Sequence, residues 1–111
     1  MEPNPRRKLD LMLTVIDEFY DGGRKACLLE RLCASVDRAR FSAPLCATFT
    51  SFMGALEKIS RAAGLSTTVA RRRAESAMVR IEGALVVAAG VGDTSVFKRA
   101  LDDIRATLLV H

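Results

Sequence analysis

The chain has 111 residues, half of them apolar and 27% charged, with a net charge of +4. That length suits one domain with one core, and the composition excludes a disordered chain. No apolar run reaches the ~18 residues expected of a membrane span. The opening MEPNPRRKLDLML is basic but soon takes a helical period with Asp10 and Asp17, unlike a signal peptide.

The first predicted helix spans about Pro5 to Asp21. Leu9, Met12, Leu13, Ile16, Phe19 and Tyr20 form one apolar stripe along it. Asn4 is its expected cap, Pro5 fits the first helical position, and Gly22-Gly23 ends it. A second helix is predicted from about Arg24 to Val36, with Leu28, Leu29, Leu32, Cys33 and Val36 inward. DRARFSAP reads as a polar connection. Ser42 is then the expected cap of a third helix, with Pro44 in its first turn and Leu45, Phe49, Phe52, Met53, Leu56 and Ile59 apolar. Gly64 stops it. Ser66 or Thr67 caps a fourth helix running to about Ala89. Asp93 or Thr94 caps a fifth, carrying Val96, Phe97, Ala100, Leu101, Ile104 and Leu108. No segment alternates like a strand, so the expected fold is an all-α, five-helix bundle, one domain over 1–111.

The fourth helix is apolar almost all round from Ile81 to Ala89. A helix without a polar face must be covered on all sides. So short a chain offers few ways to do that, and part of this surface is expected to meet a second molecule. Gly83, Ala84 and Ala88 are small enough for a partner backbone to approach closely.

A sequence pI of 9.3 raises the question of nucleic acid. Residues 1–40 hold eight basic and seven acidic groups, however, so much of the excess is Arg71-Arg72-Arg73. Adjacent helical residues diverge by about 100°, so these three cannot form one phosphate-reading stripe.

Chemistry is not expected. The single histidine, His111, is terminal, which leaves no ordered acid–base partner for a nucleophile. Cys27, Cys33 and Cys46 lack zinc-site spacing and read as reduced thiols of a cytoplasmic protein. Neither an enzyme activity, a metal nor a cofactor is expected. An Arg71–Glu75 surface pair is plausible by spacing. Glu82 either orients a ligand, bonds across an interface, or sits as a charge on its rim. Met12, Ile16, Phe19, Cys46, Phe49, Phe52 and Met53 could line a ligand cavity or fill an ordinary core.

Two stretches, NPRRKLDLMLTVIDEFYDGGRKACLLERL and MVRIEGALVVAAGVGDTSVFKRALDDIRATLL, resemble the C-terminal domain of TetR-family (AcrR-type) transcriptional regulators. The first is similar to an opening helix pair with a Gly-Cys-Leu-Leu motif, here Ala26-Cys27-Leu28-Leu29. The second is similar to a closing pair with Glu82-Gly83-Ala84 and Phe97-Lys98-Arg99-Ala100-Leu101 as its signatures. The resemblance implies a homodimer whose last two helices form a four-helix interface. Ile81, Gly83, Ala84, Leu85, Ala88, Phe97, Leu101, Ile104 and Leu108 are then the expected contacts. It also implies a small apolar or aromatic effector among the earlier helices. Family members carry a helix-turn-helix domain upstream, and this sequence opens inside the ligand domain. The chain alone is therefore expected to bind no operator specifically. The competing reading is a ligand-free interaction module that pairs with itself or with a full-length regulator.

Overall fold

The computed structural model describes residues 4–24 and 38–111, with side chains described over 4–24 and 47–111. Four α-helices and no strand occur among the described residues: α1 (Pro5–Phe19), α2 (Arg38–Ala62), α3 (Thr67–Val91) and α4 (Ser95–Thr107). The helix predicted over 24–36, including Cys27 and Cys33, lies outside the described residues, save that Arg24 closes a turn.

Helix α1 starts as its sequence dictates. The Asn4 side chain accepts from the Arg6 N–H at 3.0 Å, with Pro5 in the first turn. Leu9, Leu13, Ile16 and Tyr20, at spacings of four, three and four, are its fully buried face. Helix α1 ends at Phe19, and a 3₁₀ turn over Asp21–Gly23 follows, with positive φ at all three residues. Gly23 is required there. A Cβ on it would stand 2.9 Å from Phe97 Cβ, closer than side chains pack. The absence of that atom lets α4 seat against the turn.

Helix α2 begins earlier than the sequence suggests. It starts at Arg38, so the expected connection is helical and Ser42 is not its cap. Arg38, Ala39 and Arg40 are good helix formers. Pro44, at the seventh position, forfeits one bond, the one to the Arg40 carbonyl. The helix gives way at Gly64, with φ +100. Ser66 then caps α3, its hydroxyl accepting from Val69 N–H at 3.2 Å. Gly92, left-handed at φ 70, closes α3.

Thr94 precedes α4 without a side-chain cap bond. Asp93 supplies the acceptor instead, taking the Ser95 hydroxyl at 2.6 Å and its N–H at 3.0 Å. Those bonds, with Arg99 nearby, hold the Asp93 carboxyl below its ordinary pKa. At the far end of α4, Arg73 on α3 donates to the carbonyls of Thr107 and Leu108 at 2.8 and 3.1 Å. These are acceptors the helix leaves unmatched.

The core lies between α1, α2 and the inward faces of α3 and α4. It joins the α1 stripe to Phe52, Leu56 and Ile59, to Met78, Ile81 and Leu85, and to Phe97, Leu101, Ile104 and Leu108. Tyr20, Phe52, Phe97 and half-exposed Phe19 interlock edge to face, with ring centroids 4.9 to 6.3 Å apart. A second tie runs outside the core. Arg105 Nε meets Asp10 at 2.9 Å while its Nη1 meets Asp102 at 2.8 Å, joining α4 to α1.

Candidate functional site

Helix α3 carries the site because it has two apolar faces. Inward, Ala70, Ala74, Ala77, Met78, Ile81, Leu85 and Ala88 are buried. Outward, Val79, Val86, Val87 and Val91 are 45 to 68% exposed. The described residues cover only one side of the helix that its sequence makes apolar all round. Exposed apolar side chains are thus grouped along the outer side of α3.

Two concave surfaces flank the outer ridge. Between α3 and α4 runs a trough in two stretches that meet at Arg80. One, about 330 Å³, is lined by Arg73, Ser76, Ala77, Ile104, Thr107, Leu108 and Val110. The other, about 490 Å³, is lined by Gly83, Ala84, Val87, Val96, Arg99, Ala100, Asp102 and Asp103. From Arg73 to Val87 the trough follows about 21 Å of helix. Its walls mix small side chains (Ser76, Ala77, Gly83, Ala84 and Ala100) with aliphatic and charged ones. Between α2 and α3 lies an open groove of about 510 Å³, formed by Phe49, Met53, Met78, Val79, Glu82, Gly83 and Val86. Gly83 belongs to both surfaces, and a Cβ there would meet nothing within 4 Å.

These positions redistribute the expected contacts. Gly83, Ala84, Ile104 and Leu108 line the trough. Ile81, Leu85, Ala88, Phe97 and Leu101 do not; they are buried in the chain's own core. Their period matches the inward faces of the helices, which α1 and α2 already cover. Of the seven candidate cavity residues, Phe49 and Met53 line the α2–α3 groove. Ile16 and Phe52 are core, and Met12 packs against it part-buried. Phe19 is half-exposed, with its ring 5.3 Å from that of Phe52. Cys46 lies on α2, where its side chain is outside the described residues.

Glu82 has a partner within the chain. The buried Tyr20 hydroxyl donates to its Oε1 at 2.6 Å, across 62 positions of sequence. Burial, then the bond to Glu82 and its negative charge, push the Tyr20 pKa well above the ordinary 10.0. The phenol stays protonated and acts as a donor. Local spacing carries no signal for this bond, although Tyr20 belongs to the α1 stripe.

The arginine run divides its roles. Arg71 reaches Glu57 on α2 at 3.3 Å rather than Glu75, and Arg73 caps α4. Arg72 is exposed. His111 comes back over the α2–α3 turn, its Nε2 3.1 Å from where a Gly64 Cβ would stand. Among the described residues, no cluster of three His, Cys, Asp or Glu side chains is placed to hold a metal ion. No described helix is long and apolar enough to cross a membrane. In comparisons with family models, curated proteins and solved structures, no match is found.

Proposed function

We propose that the chain is a homodimerising regulatory domain of the TetR type, with the α3–α4 trough as its dimer face. The observation that carries this reading is the exposed apolar ridge of α3 beside a trough that includes the small residues Ala77, Gly83, Ala84 and Ala100. A second copy of α3 and α4 would cover it, and a two-fold axis lets one surface serve both partners. An interface that a domain of this kind depends on buries on the order of 2,000 Å² or more. Sedimentation equilibrium at micromolar concentration tests the reading: a dimer is expected, and a monomer at every concentration overturns it.

The same domain binds a small apolar or aromatic effector in the α2–α3 groove. Phe49, Met53, Met78 and Val79 supply an adaptable apolar wall, and thioether side chains accommodate varied shapes. A panel of aromatic and aliphatic compounds should raise the melting temperature of the wild type. Val79→Glu, at a residue 68% exposed, should lose that response and keep the fold.

A ligand-free interaction module is the second reading, favoured by the burial of Ile16 and Phe52 in a closed core. A dimer that shows no thermal response to any compound would select it.

A further inference from the structure

The 490 Å³ stretch of the trough holds four charged residues besides its apolar lining: Arg80 on α3, and Arg99, Asp102 and Asp103 on α4. Two are engaged within the chain. Arg99 donates to the Ser95 hydroxyl at 3.0 Å, and Asp102 accepts from Arg105 at 2.8 Å. Arg80 and Asp103 are exposed and form no side-chain hydrogen bond or ion pair among the described residues, with each other or with any third group. One free cation thus stands on the α3 wall and one free anion on the α4 wall, with an apolar floor between them.

We infer that Arg80 of each copy pairs with Asp103 of the other, and that these two reciprocal ion pairs fix the register of the homodimer. This rests on the dimer reading above and adds the alignment of the two copies. In a two-fold contact, if one residue meets a second across the interface, the second also meets the first. Arg80 on one wall and Asp103 on the other therefore complete both pairs at once when α3 of one copy lies along α4 of the other. Shifting one copy by a helical turn would set the charges against the apolar floor, at a desolvation cost. The pairs select an alignment that the apolar lining alone does not.

The test is a charge-reversal cycle read by sedimentation equilibrium at low and high salt. Arg80→Glu and Asp103→Arg should each weaken the dimer on the order of tenfold at low salt. The double variant Arg80→Glu/Asp103→Arg should return to within a few-fold of wild type. Raising the salt should shrink these differences, because salt screens the attraction between exposed charges. Arg72→Glu, on the same helix outside the trough, should change nothing. If wild type dimerises but the double variant shows the summed loss of both singles, the register is wrong and the dimer reading stands. Singles that dimerise like wild type, or an equal loss in Arg72→Glu, also overturn the register. A monomeric wild type overturns the dimer reading itself.

Discussion

The Tyr20 hydroxyl donates a 2.6 Å hydrogen bond to Glu82 and so ties the end of α1 to the middle of α3, beside the α2–α3 groove. The bond fixes one carboxylate oxygen at the edge of an apolar surface, and the surrounding aromatic rings hold the phenol in place. Tyr20→Phe keeps the ring packing and removes only the donor. A hydrogen bond to a charged acceptor supports a loss of about 1.5–3 kcal/mol. Urea denaturation checks this through a lower midpoint with unchanged slope. An unchanged midpoint would mean that water replaces the phenol at no cost.

The same pair sets an alkaline pH dependence. The folded-state pKa of Tyr20 lies above its unfolded value. The folded chain therefore keeps a proton that the unfolded chain releases above pH 10. Its contribution is complete below that pH and declines as the pH rises through and beyond it. Wild type should lose more stability than Tyr20→Phe between pH 9 and pH 11. Parallel pH curves for the two proteins would refute the assignment.

Gly23 and its neighbour Gly22 should respond differently to the same substitution. Gly23→Ala adds a Cβ 2.9 Å from Phe97 Cβ and 3.2 Å from its Cγ, at φ +97. A loss of about 2–4 kcal/mol follows from clash and strain together. Gly22→Ala, at φ +63 with nothing within 4 Å, carries only the backbone term of about 1–2 kcal/mol. Equal losses in chemical denaturation would show that Phe97 does not restrict the turn.

The arginine run should behave as three separate residues. Arg73→Ala uncovers the Thr107 and Leu108 carbonyls and should lower stability by about 1–2 kcal/mol. Arg72→Ala should stay within about 0.5 kcal/mol of wild type. Faster amide exchange over the last turn of α4 in the Arg73 variant would locate the effect. Similar losses from both substitutions would contradict the capping role.

The four described helices and most of their ends were legible in the sequence because they depend on near neighbours. The α1 stripe, the Asn4 and Ser66 caps and the stop at Gly64 all follow from spacing within a turn or two, while α3 runs to Val91, past its expected end near Ala89. Pro44 misled because a proline near a helix start suggests the first turn, whereas α2 carries it six residues in. The all-round apolar character of α3 was equally readable. Which face its own chain would cover was not, since periodicity gives a helix its faces without saying what packs on each. That is why Ile81, Leu85 and Phe97, expected at an interface, lie in the core while Val79 and Val87 remain outside. Tyr20–Glu82 and Gly23–Phe97 are tertiary contacts that no local pattern announces.

The most direct measurement of the central claim is sedimentation equilibrium of the wild type beside Val87→Glu and Val15→Glu. Both valines are about half exposed, at 50% and 51%, so neither substitution should unfold the chain. Only Val87 lines the trough. A micromolar dimer that becomes monomeric with Val87→Glu and persists with Val15→Glu is the predicted result. A monomeric wild type, or a dimer indifferent to Val87→Glu, would contradict the assignment of the α3–α4 trough as the dimer face.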